Sequence, residues 1–528
     1  MLSHTLFEKL DEKFRETCKI LFGDEIGSLA DFAQYLEEHI QKPQRFYSHN
    51  LGKIGSVYVS GEHYVASAKF VNFDEIDWKK KFSALSINEI KDIDSIVEAL
   101  GERFIYSGNI ILGRSSNVES SANVLNSFFV LNSNLISQSE YVAYSSFARK
   151  CKYIFGSHDV AQANFAIRTL CSGGPLGGNR IFEGFLITAS SDIFYSSNLH
   201  GCQKCWFSFF QRGKKHVIGN LQLSLEEYMK IESHLREQVR EELSSKKRII
   251  GLFDILKNKE KDDLITGEAV SDGCDPKKAK EETENAWRST SRIVLGKELQ
   301  DMDKYSDWLS KNVDFYDIAT EQSPITGANV YIAKKYWKLE NLTEVFVGME
   351  KEQLNLLHLD KAVLSKSFLE IAKSAKRIAF ISLYCSEKCI NLDVPIVCIN
   401  AINSYKTIMS VLSKNVAFSF WPRESTNIFG SSVVFSSAFC INAHYVQDVT
   451  RTFEVDMAVN SSDIYFCHNV EGLSDGMFCF NAKSMRNAIG NVEYSKDDYA
   501  KLKGNLLRQI SEELEKTKKL KWNIYNLY

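Results

Sequence analysis

Apolar residues recur at every sixth position through the middle of the chain. Leu112, Val118, Val124, Val130, Ile136, Val142, Ala148, Ile154 and Val160 hold this spacing without a break. Ile378, Tyr384, Ile390, Ile396, Ile402 and Ile408 repeat it, and Ile428, Val434, Cys440 and Val446 resume it after a phase slip. On a helix with 3.6 residues per turn, such positions drift steadily off any one face. On a strand with side-chain period two, they stay on the same side. Serine and asparagine crowd the intervals, as in "RSSNVESSANVLNSFFVLNSNLISQS" (residues 114–139). Short apolar strands separated by polar turns predict a mixed, β-rich chain whose core is a β-solenoid, each coil stacking an apolar residue on the coil below. An α+β fold with a short-stranded sandwich is the alternative.

The pattern occurs twice because the chain reads as a tandem duplication. Aligning 190–228 with 461–499 without gaps gives 13 identities in 39 positions, where average composition gives about 2 or 3. Ser190, Asp192, Ile193, Asn198, Gly201, Gly219 and Asn220 match Ser461, Asp463, Ile464, Asn469, Gly472, Gly490 and Asn491. Arg180, Phe182 and Glu183 match Arg451, Phe453 and Glu454 just upstream. Fainter echoes pair "SLADFAQYL" (28–36) with "DMDKYSDWL" (301–309), and "SVYVS" (56–60) with "NVYIA" (329–333).

Each copy ends in a helix pattern. Tyr228, Leu235, Val239 and Leu243 correspond to Tyr499, Leu506, Ile510 and Leu514, and Ser224/Glu227 and Ser495/Asp498 have capping-box spacing. The predicted organisation is a first copy at 1–256, a charged linker at 257–285 and a second copy at 286–528. In the first copy, helices and strands at 1–100 precede a solenoid at 103–223 and a capping helix at 224–246. In the second, the corresponding spans are 286–375, 376–494 and 495–520. The helices would close open solenoid ends, which otherwise expose strand edges.

The 528 residues suffice for two domains with sizeable cores. Hydrophobic residues at 44%, charged residues at 25% and a net charge of -3 argue for a soluble globular protein without a broad phosphate-binding surface. No nucleic-acid signal stands out, and no apolar run approaches the ~18 residues of a membrane span. The amphipathic start "MLSHTLFEKLDEKF" does not read as a signal peptide. A cytoplasmic or virion location is the expectation.

The cysteines raise the question of metal. His200, Cys202, Cys205 and His216 lie close in sequence, but the second copy carries Glu471, Leu473, Gly476 and Asn487 there. One C-x-x-C lacks the second pair that a structural zinc site needs. Cys202 and Cys205 are thus weak metal candidates, and packing is the expected role. "CSEKC" (385–389) is a second pair with unusual spacing. Residues 202–228, through "FQRGKKHVIGNLQLSLEEY", resemble a segment of uncharacterised prokaryotic proteins that runs C-x-x-C-x-G-L-x-N-K-x-Y-C-I-L-N-K-Q-Y. This chain lacks that pattern's Gly-Leu and later Cys, and the resemblance implies no activity.

No catalytic motif and no cofactor motif stand out. "CSGGPLGGNR" (171–180) lacks the Lys-Ser/Thr of a phosphate-binding loop and reads as a turn peculiar to the first copy. Asp192/Asp463, Glu183/Glu454 and Arg180/Arg451 are charged in both copies, as turn caps or internal pairs. The repeat-signature residues Asp192, Asn198, Gly201, Gly219, Asn220, Asp463, Asn469, Gly472, Gly490 and Asn491 are therefore read as structural. The expected function is a non-enzymatic structural or assembly protein, a homo-oligomer or a subunit of a larger protein complex such as a phage virion. The alternative is a solenoid enzyme, either a hexapeptide-type acyltransferase with His158, His200, His444 or His468 as base, or a carbohydrate-active enzyme. Against the acyltransferase, Glu119, Leu125 and Leu131 stand where such repeats commonly carry glycine.

Overall fold

The computed structural model describes residues 4–49, 55–86, 91–173, 177–257, 274–340, 346–348, 351–382 and 389–527. The chain is β-rich, with two large sheets and flanking helices. The first sheet has 16 strands between Ile111 and Gln222, and the second has 13 between Ile390 and Glu493. Nearly all their pairings are parallel, and most join residues twelve apart: Glu140 pairs with Phe128 and Lys152, and Thr450 with Ala438 and Ser462. A short-stranded sandwich would instead rest on antiparallel pairs.

The twelve-residue register explains the six-residue period. Two short strands alternate within each register unit, and both send one apolar residue into the same interior. Val124, Val130, Ile136, Val142, Ala148, Ile154 and Val160 form one buried cluster with Ile181, Ile193 and Val217. Val416, Ile428, Val434, Cys440 and Val446 do the same in the second sheet. The left-handed region recurs both inside the short strands and at the bends between them: every third residue from Asn117 to Tyr153 has φ near +50°. Asparagine tolerates this region better than most residues, which accounts for its frequency.

Serine fills the tight bends for a different reason. Ser133 Oγ donates to Leu131 O at 2.8 Å and accepts the Ser145 N–H at 3.1 Å, twelve residues on. Ser121, Ser127, Ser139 and Ser145 act likewise, as do Ser413, Ser419, Ser425 and Ser431 in the second sheet. Each hydroxyl satisfies a buried backbone amide that the bend removes from the strand ladder.

Two details of the sequence reading change. The interior phase of the second sheet runs unbroken through Leu392, Cys398, Ser404 and Ser410 to Val416 and Ile428, so there is no slip. The predicted Ile390, Ile396, Ile402 and Ile408 lie two residues out of that phase. Ile390 is exposed, while Ile396 and Ile408 are buried against elements that cover the first sheet. Tyr384 lies outside the described residues. Residues 276–285, expected in the linker, form the first half of a helix at Pro276–Leu295 that buries Ala279, Thr283, Ala286 and Trp287.

The helix His4–Phe22 lies along the first sheet, and Pro276–Leu295 along the second. Leu36 packs on Gly156, and Leu309 on Gly430. The helices Leu225–Lys246 and Lys496–Thr517 follow the last strands of the two sheets.

The remaining segments cross over. Val57, Val59, Phe70, Ile96, Leu100 and Tyr106 share a core with the second sheet. Val313, Phe315, Ile332, Trp337, Leu359 and Phe368 share one with the first. These parts of the N-terminal segments, 57–106 and 313–368, therefore dock on the opposite sheet. No described helix is long and apolar enough to cross a membrane.

Candidate functional site

Three charged residues shared by the two halves, Arg180/Arg451, Glu183/Glu454 and Asp192/Asp463, are spent on internal bonds. Arg180 Nε and Nη2 donate to the Asp192 carboxylate at 2.6 and 2.8 Å, and Arg451 grips Asp463 at 2.8 and 2.6 Å. Each pair is twelve residues apart, on adjacent strands. Glu183 Oε2 accepts the Leu252 N–H at 2.8 Å, and Glu454 Oε2 the Ile524 N–H at 3.0 Å. Both glutamates thus tie the chain that follows a terminal helix back onto its sheet.

Their surroundings differ. Glu183 pairs with the buried Arg168, whereas Glu454 accepts from the neutral Asn442 amide at 2.7 Å. Burial pushes the Glu454 carboxyl up to about 7.

The other signature residues occupy left-handed positions, at turns or within strands. Gly201 and Gly472 have φ of 65° and 66°. Asn198 and Asn469 are also left-handed, and Asn469 donates to Asn481 at 2.8 Å. Asn220 Oδ1 accepts the Phe209 N–H, and Asn491 Oδ1 the Phe480 N–H. Gly219 is capped by Leu359 and Gly490 by Leu100.

The four residues first suspected of metal binding do not converge. His200 is exposed and bonds Thr188 Oγ1 at 2.9 Å, while His216 lies beside the Tyr228 ring. Cys202 and Cys205 are fully buried with Ile193 and Val217 in the first interior. Among the described residues, no group of three or more His, Cys, Asp or Glu is placed to hold a metal ion. Part of "CSEKC" lies outside the described residues. The Gly-rich stretch is a three-residue insertion: Asn164 pairs with Asn179, fifteen residues on instead of twelve.

The most concentrated chemistry sits where the halves meet. Ser107 Oγ lies 3.1 Å from His468 Nε2, and His468 Nδ1 lies 2.8 Å from Asp456 Oδ2. Tyr64 OH donates to Asp456 at 2.9 Å, and Tyr525 OH lies 3.3 Å from its other oxygen. Nearby, His63 Nε2 bonds Asp314 at 2.9 Å. Burial opposes charge on His63, and the Asp314 carboxylate outweighs it, so its pKa stands above the usual imidazole value. His444 packs against Tyr525 with both ring nitrogens unpartnered, and burial lowers it to about 4.

Strand register places His468 beside Asp456, and the crossing segment brings in Ser107. Of the histidine candidates, His468 and His444 are in this seam. His158 is in the first half, bonded to Ser146 Oγ at 2.7 Å and lowered to about 3 by burial. Ser107, Asp456, Tyr64, His63 and Asp314 carried no sequence signal, being 361 residues from their partner in the case of Ser107.

The order serine, histidine, aspartate is that of a nucleophilic triad. Its accessibility is not: all three side chains have essentially no exposure, and His468 Nε2 also accepts the Ser107 backbone N–H at 2.9 Å. In this arrangement the imidazole makes three bonds, and the two to Ser107 join the halves of the molecule. No family model, curated protein or solved structure matches the chain.

Proposed function

We propose that the chain is a non-enzymatic structural or assembly protein, made of two copies of one β-solenoid domain. The copies interlock through their crossing segments. The twelve-residue register, the stacked serines and the matched pairs Arg180–Asp192 and Arg451–Asp463 support this architecture. So do the matched contacts of Leu36 on Gly156 and Leu309 on Gly430.

One observation carries the functional reading. The matched residues Arg180/Arg451, Glu183/Glu454 and Asp192/Asp463 are all engaged internally, so none of these shared groups is left free for acid–base work. A ladder tied every twelve residues resists deformation, which suits a load-bearing subunit. Two similar faces on one chain suit quasi-equivalent places in a shell or ring. The proposed setting is a large protein assembly such as a phage virion.

A solenoid enzyme is the second reading, favoured by the Ser107–His468–Asp456 geometry. Turnover of a panel of acyl and glycosyl substrates separates the two. The structural reading expects no turnover above a His468→Ala control. Turnover that disappears in that variant, while its melting curve is unchanged, would replace the structural reading with the enzymatic one.

A further inference from the structure

The two halves differ in charge at one corner, built by the last coils of the first sheet. His200 bridges to Arg212 and Gln203 pairs with Lys215, each twelve residues on. Lys204 follows Gln203, and Lys214 precedes Lys215. Arg212, Lys214 and Lys215 are exposed and Lys204 is half-buried. Among the described residues, none of these four cations is in an ion pair. Gly201 and Gly213 leave the backbone beside His200 and Arg212 bare, and nothing stands within 4 Å of where a Gly213 Cβ would be.

The matching coils of the second half are neutralised. Glu471 and Asp475 stand in the places of His200 and Lys204. Lys483, in the place of Arg212, pairs with Glu471 at 2.9 Å, and Lys503 pairs with Asp475 at 2.8 Å. Met485 replaces Lys214, and Arg486 alone keeps the charge of Lys215. One fold is therefore built with and without this concentration of positive charge. Three acids on elements next to the first-half corner are already taken. Asp192, one coil before Lys204, holds Arg180. Glu232, in the place of Lys503, accepts from Arg236 Nε at 2.9 Å, and Glu227 pairs with Lys361 at 2.6 Å.

We propose that this corner docks an extended acidic segment of a partner protein. Same-side carboxylates on such a segment recur about every 7 Å, so neighbouring ones reach neighbouring cations. Arg212 can grip one carboxylate through two parallel N–H bonds, and the lysines act as point charges. Nucleic acid fits less well. Duplex binding draws on about 6–10 phosphate contacts, and no exposed aromatic ring stands beside the four cations to stack a base. The inference deepens the assembly reading and rests on it for the partner's being a protein. Particle mass is measured without the probe used below, so either reading can fail alone.

The probe is a fluorescent synthetic peptide, GDEDEDEDG, added to the full chain at about 0.15 M salt. Fluorescence anisotropy follows binding, and lysine acetylation read by mass spectrometry locates it. The expected result is saturable binding that protects Lys204, Lys214 and Lys215, and leaves the exposed Lys501 on the second terminal helix unprotected. His200→Glu with Lys214→Met gives the corner the second half's residues, including an acid to pair with Arg212, and should weaken binding about tenfold or more. Lys214→Gln with Lys215→Gln, both at exposed sites, should show a similar loss and serves if the first variant fails to fold. A short DNA duplex and a short DNA single strand are the comparison ligands. No saturable binding, binding indifferent to both variants, protection confined to other lysines, or tighter binding of either DNA than of the peptide would overturn the proposal.

Discussion

The Leu100 side chain of the first half lies against Gly490 of the second, so closely that a Cβ on Gly490 would stand 2.6 Å from Leu100 Cδ2. Leu359 meets Gly219 at the same 2.6 Å, in the opposite direction across the molecule. Beside these contacts, Arg103 donates to Gly490 O at 2.8 Å and the Leu359 N–H to Gly219 O at 2.9 Å. Both glycines have positive φ, 57° and 58°. Each half thus holds the last bends of the other's sheet.

Gly490→Ala and Gly219→Ala should each lower stability by about 2–3 kcal/mol, combining backbone strain with overpacking. Gly213→Ala is the control. Its φ is 60°, but nothing lies within 4 Å of the added methyl, so only the strain of about 1 kcal/mol applies. Denaturant unfolding measures all three, and equal losses would mean that the crossing contacts add nothing.

Glu454 makes stability depend on pH in an identifiable direction. Its carboxyl rises from 4.5 to about 7 on folding, so the folded state holds a proton that the unfolded state releases. Stability from this group is complete below pH 4.5 and falls as pH rises through 7. Glu454→Gln should match the wild type near pH 4.5 and exceed it by about 3 kcal/mol above pH 7. Parallel chemical unfolding curves at pH 4.5 and 8 give the comparison; a constant difference would contradict the assignment.

Ser133→Ala should cost about 2 kcal/mol, since it strands the buried Ser145 N–H and removes the bond to Leu131 O. A surface serine such as Ser365, whose hydroxyl bonds only locally at an exposed site, should change stability by less than about 0.5 kcal/mol.

Lys150 tests the cost of the left-handed bends. It is exposed, with φ of 54°. Lys150→Gly should raise stability by about 0.5 kcal/mol, because the relief of strain exceeds the added freedom of the unfolded chain. A loss above about 1 kcal/mol would show that the bend favours a side chain.

The interior of the first sheet was legible from Val118 to Val160 because every sixth residue faces one column. Ile396 and Ile408 misled for a physical reason: they are buried from outside by elements that cover the first sheet, and periodicity does not distinguish an inner face from a covered outer one. The helix Pro276–Leu295 was hidden because its buried side includes Ala279, Thr283 and Thr290 among many charges. Arg180, Asp192, Glu183 and their counterparts were visible through internal repetition, though not the bonds they make. The seam of Ser107, His468 and Asp456 was illegible because only the crossing of the two halves assembles it.

The most direct measurement of the central claim is particle mass in solution. Mass photometry of the purified chain should show a multiple of 60.1 kDa, or a stable complex with partner proteins recovered alongside it. A uniform 60.1 kDa particle at every concentration, alone and with those partners, would contradict an assembly role.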